Sequence, residues 1–95
     1  MAQIIWSHRS IKDLHSIAEY ISFDSENIAE KFVKEIIKKA ETLIDYPEQG
    51  RPVPENIAGN YRQIIHKSYR IIYKIVKKKV IISSVYHQKK LLSKI

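Results

Sequence analysis

Residues 46–60, YPEQGRPVPENIAGN, hold all three prolines and both glycines of the chain and divide it into two halves of different character. Proline fixes φ and removes a backbone donor, and glycine opens conformations closed to other residues, so this stretch reads as the one long irregular segment. Upstream of it the hydrophobic period is helical. Ile11, Leu14, Ile17, Ala18 and Ile21 recur at three- and four-residue spacing, which predicts a helix from about His8 to Phe23 with Ser7 as its N-cap. A second stripe, Ala29, Phe32, Val33, Ile36, Ile37, Ala40, Leu43 and Ile44, predicts a helix opening near Ser25 and ended by Pro47. The short Asp24-Ser25 link makes the two an antiparallel hairpin.

Downstream the period is two. Tyr69, Ile71, Tyr73 and Ile75 form one apolar face, while Arg70 and Lys74 share the other with Ile72 and Val76. Lys67-Ser68 and Lys77-Lys78-Lys79 read as turns, so Tyr61 to His87 is a three-strand meander, and Gln3 to Trp6 supplies a short first strand. The expectation is a single α+β domain over residues 1–95 in the order β-α-α-β-β-β. A helical hairpin lies on one face of a small, mostly antiparallel sheet. The other face is expected to stay partly open and to carry the basic residues.

Charge divides at nearly the same place. No acid follows Glu55, and residues 61–95 hold ten Lys or Arg, against seven basic and ten acidic residues in the first sixty. A formal +7 is thus the sum of −3 in front and +10 behind. Such a split makes a focused positive field that attracts anionic partners, with nothing in that half to neutralise it. A hydrophobic fraction of 44% argues against disorder. No apolar run approaches the ~18 residues of a membrane span. The amino terminus has no charged region followed by a long apolar stretch, so no signal peptide is expected and the cytoplasm is the expected location. Without cysteine there is no disulfide framework or thiolate chemistry, and the four scattered His offer no ligand pair; no metal or cofactor is expected.

Several residues carry both a chemical and a plain reading. Arg70, mid-strand on the face away from the helices, can grip a phosphate or carboxylate through two donors, or be a solvated strand residue. Arg62, one strand earlier, is expected to stand beside it if the register allows. Arg51, between Gly50 and Pro52, is either a binding residue or a clamp on loop carbonyls. His87 beside Tyr86 can move protons at its ordinary pKa near ~6.5 with the tyrosine positioning a nucleophile, or be structural. Glu55 and Glu48 are the nearest carboxylate bases, or solvated loop acids. Lys74, Lys89 and Lys90 extend the basic surface. His8, His15 and Trp6 are assigned to helix surface or core.

Trp6, Asp13-Leu14, Ile17, Tyr20-Ile21, Ala29, Phe32 and Ile36 lead into Tyr46-Pro47-Glu48-Gln49-Gly50-Arg51-Pro52-Val53-Pro54-Glu55. Tyr61-Arg62, Tyr69-Arg70-Ile71-Ile72-Tyr73 and Val85-Tyr86-His87-Gln88-Lys89-Lys90-Leu91-Leu92 follow. In this order and spacing the whole chain resembles the RelE/ParE superfamily of bacterial toxins from type II toxin–antitoxin modules, with the ParE-like branch favoured. The resemblance implies a cytoplasmic toxin neutralised by a small cognate antitoxin, with neither a membrane nor a small molecule as partner. ParE-like members poison DNA gyrase; RelE-like members cut messenger RNA on the ribosome without metal. Arg70 matches a strand arginine common to both branches. The His-Tyr pair that ends one nuclease group falls on Gln88 and Lys89, whereas His87 matches the ParE-like histidine. The expectation is therefore a gyrase inhibitor using Arg51, Arg62, Arg70, Lys74, His87, Lys89 and Lys90 to hold target or antitoxin. The alternative is a metal-independent mRNA endoribonuclease with Arg70 and His87 as catalytic residues and Arg62, Tyr86 and Glu55 as further candidates. A plain RNA-binding module accounts for the charge split but not for the ordered motifs.

Overall fold

Each helix begins where a serine hydroxyl takes a free first-turn amide. In the computed structural model, which describes residues 2–56 and 59–89, Ser7 accepts from the Ser10 amide at 3.1 Å and opens α1 (His8–Ser22). Ser25 accepts from the Ile28 amide at 3.2 Å and opens α2 (Glu26–Glu41). Glu26 lies in the first turn of α2 and Lys38 and Lys39 in its last, both favourable to the helix dipole. α2 stops earlier than the apolar stripe suggests. The chain tightens into a 3-10 turn over Thr42–Ile44, the Thr42 hydroxyl donates back to the Lys39 carbonyl at 2.6 Å, and Leu43 is still fully buried.

Among the described residues five strands form one sheet: β1 (Gln3–Trp6), β2 (Arg51–Pro52), β3 (Arg62–His66), β4 (Tyr69–Val76) and β5 (Lys79–His87), in the order β1-β5-β4-β3-β2. Only β1 runs parallel to its neighbour. The two-residue β2 is an addition within the segment expected to be irregular; it lies on the edge, where proline's missing donor costs no ladder bond. The meander turns close in two residues each. Lys67 and Lys77 take left-handed backbone at φ 53° and 57°, and Lys79 belongs to β5 rather than to the turn.

The register decides which side chains meet. Ile72 faces Ser84 but Tyr73 faces Ile82, so Ser83 is an extra residue in β5. This bulge turns both Val85 and Ile82 toward the helices, which strict alternation forbids. The main core then joins Leu14, Ile17, Phe32, Ile36, Ala40 and Leu43 of the helical layer to Ile64, Ile71, Tyr73, Val80, Ile82 and Val85 of the sheet. At about 1.5–3 kcal/mol for each fully buried large side chain, this layer dominates stability. On the opposite face Val53, Ile72 and Tyr86 form a smaller cluster with Tyr61 at its margin.

Candidate functional site

The sheet face turned away from the helices is organised around Arg70. Cross-strand neighbours Ile65 and Tyr86 place it mid-sheet, and it is only 8% exposed. Its Nη1 donates to Glu55 Oε1 at 2.9 Å and to Gln63 Oε1 at 3.4 Å, and its Nη2 to the Gln88 carbonyl at 3.3 Å. Loop, β3 and the end of β5 thus converge on one guanidinium. The Arg9 guanidinium lies 5.0 Å from the centroid of the Tyr86 ring, and the Lys74 ammonium 5.6 Å from that of Tyr61. Ser84 is fully buried on the same face, and its hydroxyl has no hydrogen-bond partner among the described residues.

These contacts correct the picture of an open basic face with nothing to neutralise it. The loop folds back so that Val53 covers Ile72 and the Glu55 carboxylate meets Arg70. Acids of the front half reach cations of the back half because the fold brings them together, whatever their distance in sequence. Glu35 of α2 does the same, accepting from His66 Nε2 at 3.0 Å and from the Lys67 ammonium at 3.1 Å. The His66 hydrogen bond and then the Lys67 contact hold its carboxyl below the ordinary value of 4.5.

Arg62 does not stand beside Arg70. It pairs with Tyr73 and points to the helix side, where its Nη1 donates to the carbonyls of Glu48 at 3.1 Å and Gly50 at 2.9 Å. The carbonyl clamp considered for Arg51 therefore belongs to Arg62, and Arg51 lies exposed in β2 opposite Gln63. Tyr73 assists the clamp: its hydroxyl donates to the Pro47 carbonyl at 2.7 Å and accepts from the Gly50 amide at 2.9 Å, and burial raises its pKa.

Tyr86 and His87, adjacent in sequence, face opposite ways. Tyr86 is buried opposite Arg70. His87 is exposed opposite Tyr69, edge-on to that ring at 5.3 Å, with Nδ1 accepting from the Lys89 amide at 3.2 Å. Arg70 and His87, paired in the catalytic alternative, thus lie on different faces of the sheet. Lys89 is exposed just beyond β5; Lys90 lies outside the described residues. His8 and His15 are exposed and Trp6 packs on the core, as expected. The residues missed in sequence are Arg9, Tyr61 and Gln63, whose roles depend on register and leave no periodic signal. Asp13 is another: its Oδ2 accepts from the Val85 amide at 2.9 Å, where β1 no longer covers the edge of β5.

On the other layer, Ile11, Leu14, Ala18, Val33 and Ile37 line a groove of about 450 Å³ between the helices. Ile11 and Ile37 are exposed there, an apolar surface without a partner among the described residues.

Solved structures share this architecture. The chromosomal ParDE TA system from P. aeruginosa matches with a TM-score of 0.78 and 19% identity over 92% of this chain and 96% of that one. The RelBE2 toxin–antitoxin complex from Mycobacterium tuberculosis matches at 0.70 and 18% over 90% and 96%. At such identities the likeness is one of fold. Toxin RelE2 of Caulobacter vibrioides is 37% identical over 51 residues, 54% of this chain and 58% of that protein; the match spans little more than half of that curated relative. The family model for the ParE toxin of the type II toxin–antitoxin system parDE matches residues 4–92, taking in both helices, the clamped loop and the whole meander. The chain belongs to the ParE toxin family of the RelE/ParE superfamily.

Proposed function

We propose that this protein is a growth-arresting toxin that binds DNA gyrase and holds it in a DNA-cleaved state, and that a cognate antitoxin neutralises it. The observation that carries the gyrase reading is the separation of Arg70 from His87. Metal-free RNA cleavage needs a base, an acid and cations gathered about one phosphate. Here His87 is turned to the helix side, and Arg70 and Glu55 are engaged with each other. Binding needs only a surface, and Arg9, Arg51, Lys74 and Lys89 provide cations for one. The alternative, a ribosome-dependent mRNA endoribonuclease, draws support from the likeness to Toxin RelE2.

The antitoxin segment that fits is acidic and amphipathic, its apolar face a helix in the groove at Ile11, Val33 and Ile37. Apolar burial supplies most of the affinity, and the charges set on-rate and specificity. Its action belongs in the cytoplasm, and no helix among the described residues is long and apolar enough to cross a membrane.

Purified protein supplied in parallel to a gyrase supercoiling assay and a translating-ribosome cleavage assay separates the readings. Loss of supercoiling without messenger cleavage is expected; codon-dependent cleavage with supercoiling untouched overturns the gyrase reading. His87→Ala is expected to leave most growth arrest intact, while joint removal of the Lys89 and Lys90 charges and nearby basic charge abolishes it. For a nuclease, His87→Ala instead lowers cleavage about 10²-fold or more.

A further inference from the structure

We propose that Arg70 is a carboxylate seat whose resident occupant is the chain's own Glu55, and that a carboxylate of an acidic partner segment takes the seat by displacing it. The inference rests on the toxin–antitoxin reading for the identity of the partner, and on geometry for the seat.

The present occupant shows what the seat accepts: Glu55 Oε1 sits 2.9 Å from Arg70 Nη1, on the sheet face that carries the Val53, Ile72 and Tyr86 cluster. Glu55 arrives on a loop rather than a strand. The loop is tethered by its main chain on either side, from the Val53 amide to the Tyr61 carbonyl and from the Asn56 amide to the Val53 carbonyl. The Glu55 side chain can therefore leave without breaking the sheet. Its side chain is 22% exposed against 10% for that of Arg70, so Glu55 is the more open member of the pair. Ser84, buried on the same face with its hydroxyl unmatched among the described residues, leaves a hydrogen-bonding group beside this cluster. Lys74, over Tyr61, is four residues further along β4, or about 13 Å at the usual rise, and Arg9 lies over Tyr86. An extended segment with several carboxylates therefore meets further cations when one of its acids occupies the seat.

The enclosure favours a peptide carboxylate over a nucleic-acid phosphate. A single planar group on a flexible side chain can replace Glu55, whereas a guanidinium only 8% exposed suits a bulky sugar-phosphate strand poorly. Exchange also sets specificity. One carboxylate replaces another at Arg70, so only a partner with additional contacts outcompetes the internal acid, and isolated anions are rejected.

The full-length protein and its variants are titrated by anisotropy against a fluorescein-labelled glutamate-rich peptide, and in a parallel arm against a labelled single-stranded DNA of equal net charge. Glu55→Gln is expected to tighten the peptide about tenfold, and adding Arg70→Gln to remove that gain. Glu55→Asp, with the carboxylate on a shorter arm, gives a smaller gain and decides the matter if far-UV circular dichroism shows Glu55→Gln unfolded. A folded variant with no gain, or a gain that survives Arg70→Gln, overturns the proposal. A gain for DNA and not for peptide overturns the assignment to carboxylate. None of these readouts involves gyrase or the ribosome, so they stand or fall separately from the target reading.

Discussion

Arg62 and Arg70 occupy neighbouring strands of one sheet and do opposite work. On the helix side, Arg62 and the Tyr73 hydroxyl end on main-chain atoms of residues 47–50, groups that cannot leave without moving the backbone. On the other side, Arg70 meets the side chains of Glu55 and Gln63 together with the Gln88 carbonyl, its shortest contact being the Glu55 carboxylate, and cations stand over the rings of Tyr86 and Tyr61. One face spends its polar groups on shape, and the other on charge that a rotamer change can redistribute. The same loop serves both, fixed at Gly50 and exchangeable at Glu55.

The sharpest way to break this contrast is Gly50→Ala. An added Cβ would lie 2.5 Å from the Tyr73 hydroxyl and 2.8 Å from the Gln63 carbonyl oxygen, so either the loop or the tyrosine must move. A loss of about 3 kcal/mol in urea unfolding is expected, the upper end for overpacking; a negligible loss means the clamp is not built as described.

Tyr73→Phe keeps the packing and removes both hydrogen bonds to the loop, for an expected cost of about 1–2 kcal/mol. In a spectrophotometric titration, burial makes Tyr73 and Tyr69 among the last phenols to ionise, and the Phe variant removes one late step.

The Glu35 cluster joins helix and sheet through charge and sharpens the comparison by pH. Its folded carboxyl pKa lies below the ordinary value, so its stabilisation is complete above about pH 5 and is lost as pH falls through the folded pKa. The stability difference between the native protein and Glu35→Gln is therefore expected to shrink as the pH is lowered from neutral toward 3, measured by urea midpoints at each pH. A difference that grows on acidification contradicts the sign.

The smallest effect is expected at the turns. Lys67 and Lys77 have similar left-handed backbones, and Lys77→Gly should gain about 0.5 kcal/mol by relieving its Cβ. Lys67→Gly should gain less, because it also gives up the contacts to Glu35 and to the Phe32 ring. Thermal melts of the two variants test the difference directly.

Much of the fold follows from local properties. Hydrophobic period, proline and glycine placement and two serine caps determine two helices, a three-strand meander and the break between them, because each depends on residues a few positions apart. The motif order from Trp6 to Leu92 was enough to suggest the superfamily. β2 left no trace, since two residues carry no period. The site is less legible: the strand pattern marks Arg70 and Tyr86, but nothing local shows that Glu55 meets Arg70 or that Arg9 lies over Tyr86.

By itself, then, the sequence determined which residues alternate and where the chain turns. Only the tertiary structure decided which face each alternating set occupies and what it meets there. Ser83 shifts β5 by one residue, placing Ile82 and Val85 on the same side, and cross-strand register sends Arg62 to the helices and Arg70 to the loop. The reason is physical: in a strand of period two, a one-residue shift reverses every side chain beyond it, and the choice of register is made by the packing of segments far apart in sequence.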